Sequence, residues 1–291
     1  MMRVRFVTRL WLAAALCAVV LAQGVAARAE GGLLWAVRSG DAVVYLAGAF
    51  AAGTGEEYPL PEALEQAFAQ SDVLLVKALP IPDQERQALF AQYGVYDQGD
   101  GLSKHVAVEI LQELVSAGLD PARMERMRPW TVAMLLYSAA AQSLGYSQDQ
   151  GMEAHFQSLA QERAMEVRGL DSQESLLGLL RDVYDDDPDA LLRQCFADLA
   201  DASRNMPAVN AAVLAGDEEL AAALIFGEES ESQARYHQAL YFGYNEFLAD
   251  RLEMMLAAGG TYFAVLQAGH LLTDQGLPAL LAARGLTVER M

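Results

Sequence analysis

Cysteine is scarce in this sequence, which has 2 cysteines among 291 residues. Cys17 lies in an N-terminal apolar segment that we predict is removed, so Cys195 is left alone and no disulfide can form within the remaining chain. The apolar neighbours Leu191, Leu192 and Phe196 indicate a buried helix face around Cys195. We therefore predict a buried, inert thiol and favour it over a disulfide between chains.

Basic residues are also scarce, since 20 Lys+Arg stand against 39 Asp+Glu. Four arginines and no acidic residue lie in residues 1–29, which leaves 16 − 39 = −23 for the remaining chain. This charge repels phosphate backbones, so we predict no binding of nucleic acid. It also disfavours anionic membranes, and it could attract cations or a basic partner.

Motifs for the common enzyme classes are missing. The chain has no Gly-x-Ser-x-Gly, no Cys–His signature, no P-loop and no dinucleotide-binding fingerprint. The acidic run Asp185–Asp187 lacks the alternating ligands and the closing glutamate of an EF-hand, so we predict a surface turn there. No second long apolar run follows the first, which predicts no membrane span in the processed protein.

The N-terminus has the layout of a secretory signal peptide. Three arginines precede the uncharged apolar stretch Leu10–Val25, and the small residues Ala27 and Ala29 follow it. The apolar core is short for a membrane anchor, and a cleavage site comes directly after it. We predict a signal peptide over residues 1–29 and one exported domain over residues 30–291, periplasmic by default and otherwise secreted.

Strand patterns occur near both ends of the processed chain, around a long helical middle from Asp83 to Arg163. The predicted strands are Leu33–Val37, Ala42–Leu46, Val73–Val76, Met165–Leu170, Thr261–Leu266 and Leu286–Glu289. A long amphipathic helix is predicted from about Glu231 to Ala257. This order favours an α/β or α+β fold, with a central mixed sheet built from N- and C-terminal strands.

Two loops of small residues follow predicted strands, Gly48–Gly55 near the start and Gln267–Gly276 near the end. Binding sites in α/β proteins tend to lie at the carboxyl ends of strands. We therefore predict that these two loops contribute to a functional site.

Several segments, in the same order along the chain, resemble the TraB/GumN family, which belongs to a superfamily that includes the Tiki metalloproteases. They are Leu34–Val37 with Val44–Gly48, Tyr58–Ala63 with Ala67–Asp72, Met127–Trp130, Gly145–Tyr146 with Gly151–Glu153, and Gly259–Phe263 with Ala268–Leu271. The resemblance covers nearly all of residues 30–291.

The resemblance implies a metal site that this chain has largely lost. The family pattern is a Gly-x-x-His after the first hairpin, a glutamate on the next strand and a second Gly-x-x-His near the end. Such ligands can hold a divalent metal and make hydroxide available. Here Gly48 is kept but Ala51 stands at the first histidine position, and Lys77 replaces the glutamate. His270 is kept, with Gln267 at the glycine position before it.

Other positions of the resemblance complete the predicted site. Tyr244 and Asn245 stand where the family often has Arg-Asn, Arg251 is retained, and Glu153 replaces an aspartate. We predict a binding cleft formed by Gly48, Ala51, Lys77, Asn245, Arg251, Gly269 and His270. His270 and Glu153 are the candidates for catalysis, and His270 is the candidate metal ligand.

Two of these residues allow more than one interpretation. Lys77 is either a perturbed or ion-paired amine within the site, with Glu57 or Glu153 as its acid, or a strand-end lysine that reaches solvent. His270 is either a ligand or substrate contact, or a remnant held by its loop. His237 lies in a polar stretch and is predicted to be solvated.

Three functions follow as hypotheses. The first is a non-catalytic or altered relative that needs no cofactor and binds a peptide, polysaccharide or protein in the inherited cleft. The second is a metal-dependent hydrolase that uses Zn, Mn or Co at a rearranged site around His270 and Glu153. The third is an interaction module whose acidic surface binds a basic partner. Ala51 and Lys77 favour the first hypothesis.

Overall fold

The structure, a computed structural model, describes residues 31–227 and 230–291. The predicted signal peptide, residues 1–29, lies outside the described residues. The strands are β1 (Leu34–Ser39), β2 (Ala42–Ala49), β3 (Val73–Ala78), β4 (Glu166–Asp171), β5 (Thr261–Gln267) and β6 (Thr287–Arg290).

Helices fill most of the space between these strands. They are α1 (Glu62–Ala69), α2 (Asp83–Tyr93), α3 (Val108–Ser116), α4 (Pro121–Met124), α5 (Pro129–Ser143), α6 (Met152–Glu162), α7 (Gln173–Tyr184), α8 (Pro188–Ala215), α9 (Glu218–Phe226), α10 (Glu231–His237), α11 (Gly243–Ala258) and α12 (Leu277–Ala283). Within the described ranges, no helix is both long and apolar enough to cross a membrane.

The described strands form one six-stranded mixed sheet in the order β4-β3-β5-β2-β1-β6. Strands β2, β5, β3 and β4 run parallel to one another, and β1 pairs antiparallel with both β2 and β6. The α/β prediction with a mixed sheet of N- and C-terminal strands is therefore confirmed. The sheet also takes β4 from the middle of the chain.

Apolar burial is divided between two clusters. The larger one surrounds the sheet, where α1 and α6 pack against β2, β3 and β5, and α11 packs against β1, β2 and β4. The aromatic rings of Phe68, Phe156 and Phe263 meet at centroid distances of 4.7–5.5 Å in this cluster. The smaller one, the helical cluster, joins α3, α5, α8 and α10 through Ile110 and Leu192.

The acidic run and the lone cysteine are placed as predicted. The run ends α7 and begins α8, because the Asp187 side chain accepts a hydrogen bond from the backbone N–H of Ala190 at 3.1 Å and Pro188 occupies the first turn. Cys195 is fully buried in the helical cluster, and burial raises the pKa of its thiol to about 12. The thiol is therefore protonated at neutral pH.

Two elements differ from the prediction. Strand β2 continues through Gly48 to Ala49, because Gly48 pairs with Leu266 in the parallel ladder, so the predicted loop starts later. The long helix predicted from Glu231 is interrupted by a π-helical turn over Gln238–Phe242. A π turn adds one residue to a helical turn, so it shifts the faces of α10 relative to α11.

Candidate functional site

The carboxyl ends of four parallel strands meet at one edge of the sheet. Ala49 ends β2, Gln267 ends β5, Ala78 ends β3 and Asp171 ends β4. Ala49 pairs with Gln267, and Ala78 pairs with Asp171, so these ends lie side by side. This edge of an α/β sheet is the usual place for a binding site.

His270 lies just beyond β5 in a short 3-10 turn, Ala268–His270, and its side chain is fully buried. Its Nδ1 is 2.9 Å from Oδ1 of Asn245 on α11. The Asn245 Nδ2 donates to the backbone carbonyls of His270 and Gln275, both at 3.1 Å. Because these two bonds assign the amide nitrogen as the donor, Oδ1 must accept, and the imidazole proton resides on Nδ1.

Lys77 supplies the contact on the other ring nitrogen. Its Nζ is 3.1 Å from His270 Nε2. Since Nδ1 carries the imidazole proton, Nε2 offers a lone pair, and the Lys77 amine donates to it. The side chains therefore form a chain of hydrogen bonds that runs from Lys77 through His270 to Asn245.

Burial changes the pKa values of the titratable groups along this chain of hydrogen bonds. Burial lowers the pKa of Lys77 from 10.5 to about 8, while the negative charges of Asp171 and Glu153 oppose that shift. Burial, together with the nearby Lys77 charge, holds the pKa of His270 well below its ordinary value of 6.5. At neutral pH the pair therefore carries one positive charge, and it resides on Lys77.

Aromatic rings surround the pair. The Lys77 Nζ lies 5.0 Å from the ring centroid of Tyr244, and the Tyr241 ring lies 5.0 Å from that of His270. The Tyr244 hydroxyl donates to Asp171 Oδ2 at 2.6 Å. Burial and this hydrogen bond raise the pKa of Tyr244, so Tyr244 remains a neutral donor. The ring faces add a cation–π contact to the stabilisation of the Lys77 ammonium.

Carboxylates are near Lys77 without forming a salt bridge to it. Asp171 and Glu153 act on Lys77 through their charges, and among the described residues Nε2 of His270 is its hydrogen-bond partner. Burial raises the pKa of Glu153, against the opposing charge of Lys77, and Glu153 Oε1 accepts from Gln157. His155, two residues further on, instead contacts Glu65.

A cleft opens at these strand ends. One cavity of about 470 Å³ is bordered by Lys77 and Gln267 together with side chains of α7, α8 and α10. A second cavity of about 390 Å³ is bordered by Ala51, Gly269 and Asn210. The two share five lining residues, which are Tyr137, Asp198, Ile225, Tyr241 and Gln267. We call the two together the strand-end cleft.

The structure brings most of the seven predicted cleft residues to this edge. Lys77, Asn245 and His270 form the hydrogen-bonded chain, while Ala51 and Gly269 border the second cavity. The remaining two have other contacts. A side chain at Gly48 would meet Leu33, with a Cβ–Cβ distance of 2.8 Å, and Arg251 donates to the backbone carbonyl of Leu170 at 2.9 Å.

Lys77 is half-buried: its amine contacts His270 Nε2 and the residue borders the first cavity, which favours the interpretation of Lys77 as a perturbed amine within the site. The loop residue Glu57, the first acid considered for it, instead accepts hydrogen bonds from Asn210 and from the Thr54 and Gly55 backbone. Glu153 is the one of the two acids whose charge acts on Lys77.

Several residues of the cleft carry no motif that would have identified them. Tyr137 and Tyr241 occur in helical sequence that is also typical of a core. Asp171, which accepts a hydrogen bond from Tyr244 beside the cleft, could have been identified, because it directly follows the predicted strand Met165–Leu170. His237 was predicted to be solvated, and that prediction is wrong. It is half-buried, borders the cleft and packs its ring against Phe226 at a centroid distance of 5.1 Å.

The donor set does not fit a divalent metal. Ala51 offers no ligand atom, and the His270 lone pair already accepts a hydrogen bond from a cationic amine. Within residues 31–227 and 230–291, no group of three His, Cys, Asp or Glu side chains is arranged to hold a metal ion. A metal at His270 would require Lys77 to move or to lose its proton.

Comparison with models of known protein families gives a match. A sequence model described as the TraB/PrgY/gumN family matches residues 33–290, nearly the whole described chain. No curated protein and no solved structure matches the sequence.

Proposed function

The chain belongs to the TraB/PrgY/gumN family, and from this premise we propose that it is an exported, non-catalytic member that binds a ligand in the strand-end cleft. The ligand is a peptide, a polysaccharide or a protein segment. The proposed location is the periplasm, with secretion as the alternative, and the proposal requires no cofactor.

One observation carries the proposal, the 3.1 Å contact between Lys77 Nζ and His270 Nε2. A histidine binds a metal through the lone pair of a neutral ring nitrogen. Asn245 holds the proton on Nδ1, so Nε2 is the atom that a metal would use. Lys77 occupies that direction with a positively charged donor. Its ammonium therefore takes the electrostatic place of a metal ion without offering Lewis-acid chemistry.

The shape of the cleft supports binding as the remaining role. Its cavities, of about 470 and 390 Å³, lie within the size range of ordinary ligand pockets. Tyrosine, glutamine and aspartate side chains line it among leucines. Such a lining can receive an apolar side chain or the face of a sugar and still provide hydrogen bonds.

Calorimetric titration of residues 30–291 with zinc, manganese and cobalt tests this proposal. We expect no stoichiometric site in the wild-type protein, and the same heats in the His270→Ala variant. A binding site of micromolar or tighter affinity that is lost in His270→Ala would overturn the proposal. That result would favour the metal-dependent hydrolase with His270 and Glu153, which peptide-cleavage assays would then examine.

A further inference from the structure

The Lys77 ammonium has hydrogen-bond donors that no described residue accepts. An ammonium group carries three N–H donors, and one of them is directed to His270 Nε2. Among the described residues, no other acceptor forms a hydrogen bond with Nζ, although the group lines the 470 Å³ cavity. The amine therefore presents a positive charge, and up to two donors, to whatever enters that cavity.

The walls of the same cavity are rich in aliphatic side chains. The six come from three helices, α7, α8 and α9, and from the π-helical turn: Leu176, Leu179, Leu180, Leu191, Ile225 and Leu240. The acidic residue in the lining, Asp198, is already hydrogen-bonded to the Tyr137 hydroxyl at 2.5 Å and to Gln194 at 2.6 Å. The cavity thus combines an aliphatic wall with one cation, Lys77, that has hydrogen-bond donors available to a ligand.

We propose that this cavity binds an aliphatic carboxylate, with the carboxylate on Lys77 Nζ and the hydrocarbon chain against the leucines. The inference rests on the proposed binding role of the cleft, but it assigns to this cavity a ligand of a different class from the peptide, polysaccharide or protein segment proposed for the cleft as a whole. Two carboxylate oxygens match the donors that Lys77 has available, and the bond is charge-assisted. Burial of the chain removes apolar surface from water on both sides.

A peptide that ends in a free carboxylate fits this cavity less well. It would bring backbone N–H and C=O groups next to Lys77, and such groups need hydrogen-bond partners when they are buried. The lining of this cavity includes three leucines of α7, which supply no such partner, and the aromatic residue Tyr241. A fatty acid makes no such demand, so we assign the ligand to the class of medium-chain monocarboxylic acids.

Decanoate, titrated into the protein at pH 7.5 below its micellisation concentration, is the probe. Two further ligands test the hydrocarbon chain and the carboxylate of decanoate separately. 1-Decanol has the long hydrocarbon chain without the charge, and butyrate has the charge without the long hydrocarbon chain. Two variants form a matched pair, because Lys77 and Lys104 are the two lysines of the sequence. Lys104 is exposed and bonds to the backbone carbonyl of Gly99, so Lys104→Met controls for the loss of a lysine charge.

We expect saturable binding of decanoate that Lys77→Met weakens by at least about tenfold and that Lys104→Met changes by less than about twofold. Decanol and butyrate should each bind at least about tenfold more weakly than decanoate. Circular dichroism and thermal unfolding confirm that each variant is folded, and the ligand comparison in the wild-type protein needs no variant.

Absence of decanoate binding, equal binding of decanol, or equal binding to Lys77→Met would overturn the carboxylate assignment. Failure of this inference and failure of the proposed function give different results. If decanoate does not bind and the metal titration is also negative, only the ligand class is wrong. A stoichiometric metal site at His270 removes the proposed function, whatever decanoate does.

Discussion

Lys77 and His270 form a pair that holds a single proton, because protonation of one group disfavours protonation of the other. Each group lies in a medium that penalises charge, and they are 3.1 Å apart, so protonation of both would add repulsion to the desolvation cost. The proton resides on Lys77 because an amine is intrinsically the stronger base. The pair therefore behaves as one fixed cation around neutral pH.

This pair predicts how stability depends on pH. The folded protein has a Lys77 pKa of about 8, against 10.5 for an ordinary lysine. Below about pH 8 both states hold the proton, and the cost of the buried charge is constant. Between about pH 8 and 10.5 the unfolded chain binds the proton that the folded protein has released, so the Lys77 contribution to stability rises with pH.

Comparison of wild type with Lys77→Met isolates the contribution of Lys77 to the pH dependence of stability, because the other titrating groups are common to both proteins. Relative to Lys77→Met, the wild-type free energy of unfolding should increase between pH 7 and pH 10.5 by an amount on the order of 3 kcal/mol or less. Urea unfolding at several pH values measures it. If the difference in free energy of unfolding between the two proteins does not change with pH over this range, the folded protein does not bury the Lys77 ammonium.

At the residue scale, sequence patterns identify Lys77 and His270 but not their bond. Ala51 and Lys77 stand out because they depart from the metal-ligand pattern of the resemblance. The role of Asn245 depends on which way its amide points, and two backbone carbonyls far along the chain decide that. No local pattern contains this information, because residues 77, 245 and 270 meet only after the sheet has assembled.

Among the elements, β6 shows how a short edge strand is held. It has four residues and pairs only with β1 among the described strands. Arg290 donates to the backbone carbonyls of Gly32, Leu34 and Gly216 at 2.8–3.1 Å, and its guanidinium lies over the Trp35 ring. One side chain therefore connects the C-terminal strand, the N-terminal strand and the end of α8.

Removal of this side chain should destabilise the protein. We expect Arg290→Ala to lower the free energy of unfolding by about 2–4 kcal/mol, because three partly buried carbonyls lose a charged donor and the Trp35 face loses its cover. Arg86→Ala is the matched control, because Arg86 is 67% exposed and pairs within one helix. Its cost should stay below about 0.5 kcal/mol. Equal losses in the two variants, measured by urea unfolding, would contradict the role of Arg290.

The helix between Glu231 and Ala258 marks the limit of sequence patterns at this scale. Apolar periodicity indicates one continuous helix, and the chain is helical throughout. Periodicity does not reveal the π turn at Gln238–Phe242, which directs Tyr241 onto Gly269 and His270. A Cβ at Gly269 would lie 2.6 Å from the Tyr241 ring, so the turn and this glycine fit each other. Such fits depend on tertiary contacts.

For the molecule as a whole, the sheet was predictable because its strands have strong local patterns. The run Thr261–Leu266 and the Leu33–Leu46 hairpin are apolar and bounded by turn residues, so periodicity sufficed. The elements that enclose the strand-end cleft were not predictable from the sequence. It forms where the sheet ends face the helical cluster, and Leu191 and Tyr236 of that cluster border it. This contact has no counterpart in the local sequence.

The overall charge gives a prediction for the intact protein. With a net charge of −19 in the full sequence, like charges repel one another across the folded surface. Salt screens this repulsion over a Debye length that shrinks to about 8 Å at 0.15 M. The melting temperature should therefore rise by about 2–6 °C between 10 and 200 mM NaCl. Differential scanning calorimetry, with KCl at equal ionic strength as control, measures it. An unchanged or lower melting temperature would count against net repulsion.

The parallel pair β2 and β5 also determines when the protein can fold as it leaves the ribosome. Val43 of β2 pairs with Thr261 of β5, and β5 in turn pairs with β3, so β5 lies between strands that are made long before it. A nascent chain cannot complete the centre of its sheet until β5 has been synthesised. Until then the β1–β2 hairpin and β3 lack their shared partner. The chain must therefore be synthesised through Gln267, the last residue of β5, before the strand-end cleft can exist.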